Sequence, residues 1–269
     1  MERSYSSDLK GDDLLWRQLK TVPAFRALLR STEARLFQGV AIEEPALDLG
    51  CGDGHFTEIG LNRTISVGID PWWHPLTKAN RTNAYSHLIQ GFGDKLPFPS
   101  SYFRSVISNS VLEHIPVLPP VIDEIFRVLQ PGGRLIFTTP SDQFTERLFG
   151  ARQLERFGFT WGANWYRNLF NKISRHYHTD SPEVWNDRLN AAGFEDEEST
   201  YYFSDEALRV LEIGHIQGLP SFIIHALTGH WIVAPWKSSL ESTEKWIRPL
   251  YEEELPELGT MLFFKARKP

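Results

Sequence analysis

The sequence predicts a doubly wound α/β fold: a mostly parallel seven-stranded sheet with a helical N-terminal cover and helical insertions. Three observations predict it. From Pro45 onward, short apolar runs that end on Gly, Asp or Asn alternate with helix-patterned stretches, the texture of repeated strand-helix units. The first such run, Leu47 to Leu49, passes directly into glycines at 50, 52 and 54. Further on, a helix-patterned stretch stops at Pro131-Gly132-Gly133, where Pro cannot continue a helix and Gly can turn left-handed, and another apolar run follows at once.

In chain order, residues 14–37 place Leu15, Leu19, Val22, Phe25, Leu28, Leu29 and Leu36 at spacings of three and four, as in one or two amphipathic helices broken near Pro23. Strands are predicted at Ala46–Leu49, Ser66–Ile69, His87–Ile89, Ser105–Ser108 and Arg134–Thr138, with a helix over Val121–Leu129. Residues 141–180 carry many rings, including Phe144, Phe157, Phe159, Trp161, Trp165, Phe170 and Tyr177, and read as a lid or substrate wall. A helix over Pro182–Ala192 stops at Gly193, and strands at Ser199–Phe203 and Met261–Ala266 finish the sheet. The whole chain, 1–269, is read as one domain. It comprises a cover (1–44), a core (45–140), an aromatic insertion (141–180) and a C-terminal part (181–269) that holds an apolar insertion, 206–258.

Composition removes several function classes. With 28 Lys and Arg against 34 Asp and Glu, the net charge of -6 offers no footprint for a phosphate backbone, so a nucleic-acid partner is not expected. The single cysteine, Cys51, can form neither an internal disulfide nor a thiolate zinc cage. The first residues carry Glu2, Arg3, Asp8, Lys10 and Asp12 with no apolar run, so a cytoplasmic setting is expected. Residues 213–236 lack Asp, Glu, Lys and Arg, yet His215, His225, His230, Pro220 and Pro235 argue against a membrane span. That segment reads as a buried subdomain or as a peripheral cap against a greasy substrate or a membrane surface.

The chemistry gathers at strand ends. Glycines at 50, 52 and 54 let a ligand lie against main chain, and the helix start beyond them offers unpaired N–H groups to an anion. Their spacing, G-x-G-x-G behind Asp48, differs from the dinucleotide pattern G-x-G-x-x-G and makes a nicotinamide oxidoreductase the weaker reading. A second run, Val67 to Ile69, ends on Asp70, where a carboxylate at the strand tip grips ribose hydroxyls; the bland alternative is a helix cap beside Pro71. Gly93-Asp94 follows the third strand, and Asn109-Ser110 the fourth.

Together these residues resemble the class I, Rossmann-like, S-adenosylmethionine (SAM) dependent methyltransferases, in their small-molecule branch. The likeness rests on Leu47–Gly54, Gly68–Asp70, Gly93-Asp94 with Leu96-Pro97-Phe98, Val106–His114 and Pro131-Gly132-Gly133, and covers about residues 40 to 140. Arg104 and the Trp72-Trp73 pair depart from the usual pattern. The resemblance implies SAM as cofactor, held by the loop Asp48, Gly50, Cys51, Gly52 and Gly54, with ribose on Asp70 beside Pro71. It also implies adenine at Gly93 and Asp94, and the methionyl portion near Asn109.

The implied activity is methyl transfer to a small or lipid-like acceptor, with oxygen slightly favoured; a non-catalytic SAM-binding or regulatory protein is the alternative. His114, just past the fourth strand, is the candidate base for a hydroxyl acceptor, and His55, His74, His176 and His178 are lesser ones. A nucleobase amino acceptor fits poorly because Asn109-Ser110-Val111-Leu112 lacks the expected Pro-Pro-aromatic turn. No metal site is expected, since the oxygen ligands in view, Asn109 and Asp142, are too few. Oligomeric state has no signature in the sequence.

Overall fold

The computed structural model describes residues 13–216, 228 and 231–269. The expected apolar segment 213–236, with His225 and His230, therefore lies largely outside the described residues. Seven strands form one sheet in the order β3-β2-β1-β4-β5-β7-β6. They are β1 (Ala46–Leu49), β2 (Ile65–Asp70), β3 (Tyr85–Gln90), β4 (Phe103–Asn109), β5 (Leu129–Pro140), β6 (Glu195–Tyr202) and β7 (Met261–Arg267). The first five run parallel, and β7 inserts antiparallel between β5 and β6.

Burial explains the strand sequences. Every residue of β1 is buried, which a parallel strand covered on both faces requires. The outermost strand β6 is charged instead: Glu195, Asp196, Glu197 and Glu198 keep an open edge from pairing with another chain, and Glu198 meets Lys265 of β7.

One face carries α1 (Leu14–Leu19) and α2 (Ala24–Gln38), divided at Pro23. Their Leu15, Leu19, Leu28 and Phe37 share a core with Ile107, Ile136 and Phe263 of the sheet, and Phe37 packs edge-on to Phe263 at 5.2 Å. The short α3 (Trp73–Ala79) joins β2 to β3. On the other face, α4 (Pro119–Val128) packs Val121, Ile122 and Ile125 with Leu47, Val106 and Leu135. This helix ends before the Pro-Gly-Gly stop, because Leu129 is already extended and pairs with Phe103 of β4. Pro131 disfavours a helical Gln130 for the same reason.

The aromatic stretch folds into α5 (Gln143–Glu146), α6 (Phe149–Arg156) and α7 (Thr160–Ser174). Its rings divide between two fates: Phe144 and Phe170 are core, whereas Phe157 is 82% and Trp161 71% exposed. Beyond it come α8 (Pro182–Ala191), α9 (Asp205–Ile216) and α10 (Lys237–Glu252). No helix among the described residues is long and apolar enough to cross a membrane.

Candidate active site

The strand order sets the place of the site. The connection after β1 leads to β2 on one side, while β4 lies on the other, so the carboxyl ends of β1 and β4 diverge and leave a crevice. Its volume is about 250 Å³. Gly50, Cys51, Gly52 and Asp53 form one wall, Asn109, Ser110 and Val111 another, and Arg26, Arg30 and Trp231 a third. A larger hollow of about 610 Å³ lies at the opposite edge of the sheet, among Gly39, Arg134, Asp196 and Arg267, away from the glycine loop.

The three glycines do different work. Gly50 has φ 77° and a Cβ there would strike Val111 at 2.4 Å, so loop and β4 exit touch only because a side chain is missing. Gly52 has φ 56° and open space on its Cβ side, which makes it the bare stretch of main chain beside the crevice. Gly54 lies outside the crevice lining, and its missing side chain makes room for Ala79, Thr82 and Tyr85. The helix expected next is a π-helical turn, Phe56–Leu61.

Two carboxylates hold this loop. Asp48 is buried and its Oδ2 accepts from Tyr85 Oη at 2.6 Å and Thr57 Oγ1 at 2.8 Å. Burial pushes its pKa up to about 6, against the pull of those two donors. It borders the crevice, but its hydrogen bonds brace the floor of the loop. Asp70 accepts from Gly52 N at 3.0 Å through Oδ2 and from Trp72 N at 2.9 Å through Oδ1. The acid at the tip of β2 is thus joined to the bare glycine, and each oxygen keeps a lone pair for a further donor. Burial raises its pKa in spite of these bonds. Burial also pushes the Cys51 thiol far up, which leaves it inert as a nucleophile.

Beyond the tip of β2, the Pro71 carbonyl accepts from Gln90 Nε2 at 3.0 Å, and Trp72 and Trp73 stand 68% and 66% exposed. Asp94 is exposed, and Gly93 packs against Val121 and Leu49 instead of lining the crevice.

Asn109 lines the crevice beside the β4 exit. Its amide is engaged at both ends: Nδ2 donates to Glu33 Oε2 at 3.0 Å, and Oδ1 accepts from Thr138 Oγ1 at 3.0 Å. Glu33, fully buried on α2, also accepts from Arg30 Nη1 at 2.8 Å, Ser110 Oγ at 2.8 Å and Tyr202 Oη at 3.2 Å. Burial opposes the charge on Arg30, yet the Glu33 carboxylate holds its pKa above the usual value. Arg26 lies over the Trp231 ring at 5.5 Å, and burial lowers its pKa. The sequence contained a hint of this wall. Arg26, Arg30 and Glu33 recur at helical spacing, a polar stripe that reads as solvated until the helix is docked over strand ends.

Three of the candidate histidines, His114, His176 and His178, gather beyond β4. His55 Nε2 meets Thr21 Oγ1 at 2.9 Å on the crevice rim, and His74 is exposed on α3. His114, in the 3-10 turn Leu112–His114, faces the Arg175 carbonyl through Nδ1 at 3.1 Å, and His178 faces that of Ile115 at 3.0 Å. Ligand-capable atoms of Glu113, His114 and His176 lie within 4.8 Å of one another. Burial pushes Glu113 up to about 8; burial and neighbouring His114 push His176 down to about 3.

Residues 47–137 match the family model described as "Methyltransferase domain". The malonyl-[acyl-carrier protein] O-methyltransferase of Enterobacter lignolyticus is 32% identical over 114 residues, which are 42% of this chain and 43% of that protein. A demethylmenaquinone methyltransferase of Bacillus licheniformis is 31% identical over 140 residues, 49% of this chain and 59% of that one. The chain thus spans about half the length of these curated relatives. A crystal structure of a SAM-dependent methyltransferase from Thermotoga maritima superposes with a TM-score of 0.55 at 18% identity, covering 91% of each chain, and supports the fold. Residues 47–137 thus match a methyltransferase domain, and the sheet around them has the order β3-β2-β1-β4-β5-β7-β6.

Proposed function

We propose that this chain is an enzyme that moves the methyl group of SAM to a small or lipid-like acceptor, with an oxygen acceptor favoured. The observation that carries the reading is the Gly52–Asp70 bond at 3.0 Å, which ties a ribose-type acid at the tip of β2 to the bare main chain of the crevice wall. Arg26 and Arg30 on the opposite wall complement the carboxylate of the methionyl end. The names of the relatives, malonyl on an acyl carrier and demethylmenaquinone, support an acceptor that is a small acyl group or an apolar ring. Exposed rings of the aromatic insertion, such as Phe157 and Trp161, suit such an acceptor. A single buried thiol fits a reducing, cytoplasmic setting.

The chemistry is an in-line displacement: the acceptor forms a bond to the methyl carbon as the carbon–sulfur bond breaks and its electron pair stays on sulfur. Positive charge on the donor disappears, so holding donor and acceptor in line supplies much of the acceleration, up to ~7–11 kcal/mol for a well-fitted pair. Titration calorimetry with SAM, followed by incubation of labelled SAM with lipid and metabolite extracts, tests the reading. One bound SAM and a labelled product are expected. Binding without any product would favour a regulatory SAM-binding protein, and no binding would remove the proposal.

A further inference from the structure

The groups that methyl transfer leaves unused converge at one point past β4. Glu113 is 2% exposed, and its Oε1 lies 3.8 Å from His114 Nε2, beyond hydrogen-bond reach. Among the described residues its Oε2 has no hydrogen-bond partner, and neither has the buried Nδ1 of His176. A carbonyl only accepts, so the 3.1 Å contact of His114 Nδ1 with the Arg175 carbonyl places the ring proton on Nδ1. Neutral His114 then presents the Nε2 lone pair toward Glu113. Ligand-capable atoms from two segments distant in sequence thus face one another, with the Glu113 carboxyl buried and the His114 ring at the surface.

The surroundings hold this geometry in place. Tyr177 N donates to the Glu113 carbonyl at 2.8 Å, and His178 Nε2 meets the Ile115 carbonyl at 3.0 Å. Together with the His114–Arg175 contact, these bonds stitch the segment after α7 to the turn after β4. A ring N–H on a backbone carbonyl is also the orientation that metal-binding imidazoles adopt, because it fixes the tautomer. Two imidazoles and one carboxylate select a first-row transition ion over Mg²⁺ or Ca²⁺. Ligands bind Zn²⁺ at about 2.0–2.2 Å, so small side-chain rotations close the present spread of 4.8 Å around an ion.

We propose that Glu113, His114 and His176 form a mononuclear site for a divalent transition ion, Zn²⁺ or one of its neighbours, with a position open to an oxygen of the methyl acceptor. The placement of the acceptor rests on the methyl-transfer reading, and it narrows that reading to a hydroxyl or carboxylate oxygen. A hydroxyl acceptor releases its proton to water; the oxygen pair then forms the O–C bond as the C–S pair stays on sulfur. Arg30 does not oppose the ion strongly, since its charge is already paired with Glu33 at 2.8 Å.

The test uses the full chain without a histidine tag, stripped with chelator and titrated with Co²⁺ while visible absorption is recorded, then with Zn²⁺ in competition. One equivalent is expected, with affinity falling more than ~100-fold in H176A and in E113Q, beyond the loss typical of outer-shell changes. SAM affinity by calorimetry stays within about twofold. Should H176A fail to fold by circular dichroism, E113Q and H114Q carry the comparison. A folded, SAM-binding chain that takes up neither ion, or variants that bind as tightly as the parent, overturns the site. A chain that binds one ion but no SAM supports the metal site and sinks the methyl-transfer reading instead.

Discussion

The loop after β1 and the turn after β4 form two walls of one crevice, yet they are held in opposite ways. In the loop, polar groups find partners close by in the β1-to-β3 unit: Asp48 takes Thr57 and Tyr85, and Asp70 takes Gly52 and Trp72. At the β4 exit, Asn109 and Ser110 depend on Glu33 from the N-terminal cover, and Glu33 depends on Tyr202 from the far edge of the sheet. The first wall is a local construction and the second is assembled from the whole chain. Damage to the second therefore costs more stability, and damage to the first costs more binding.

The largest expected effect breaks the distant wall. Glu33→Ala removes the acceptor of four donors and strands the Arg30 charge, so a loss of ~3–5 kcal/mol is expected from denaturant unfolding. A loss under ~1 kcal/mol would show that the network is decoration. Next comes the pH response of the local wall. Asp48 titrates at about 6 in the folded protein against an ordinary 3.8, so the folded state holds its proton longer than the unfolded one. Its contribution to stability falls as pH rises from about 4 to 6 and is level above. At ~1.4 kcal/mol per unit this is on the order of 3 kcal/mol. Unfolding of Asp48→Asn across that range should lack this component, and identical slopes for both proteins would refute it.

Smaller again is Asp70→Ala, which should weaken SAM binding by ~1.5–3 kcal/mol for each charge-assisted bond lost. An unchanged calorimetric titration would end the ribose assignment. The glycines sharpen the comparison most finely. Gly50→Ala must displace Val111 besides adopting a left-handed backbone, whereas Gly52→Ala meets open space and bears only the backbone strain of ~1–2 kcal/mol. Melting should rank Gly50→Ala as the less stable of the two, while calorimetry should show that Gly52→Ala, though folded, loses SAM.

Legibility followed the same division. The strands, the glycine loop and Asp70 were readable because they are set by runs of neighbouring residues: apolar stretches, missing side chains, a carboxylate at a strand tip. The place of Asn109 after β4 was visible in the sequence, whereas its partners Glu33 and Thr138 were not. Gly54 was grouped with the loop, and Gly93 with the adenine region, by pattern; in the fold they pack against Ala79 and Thr82, and against Val121. The ring-rich insertion could not be divided in advance, since the burial of Phe144 and the exposure of Trp161 depend on how their two helices dock.

The amino-acid sequence alone thus determined the parallel core, the bend after its first strand and the acid at the tip of its second. These depend on backbone freedom and apolar periodicity within a few residues. Tertiary structure alone decided that Glu33 would close the second wall and that His176 would meet Glu113 and His114. A buried polar group is tolerated only where its partner arrives in space, and that arrival is fixed by how helices dock on the sheet.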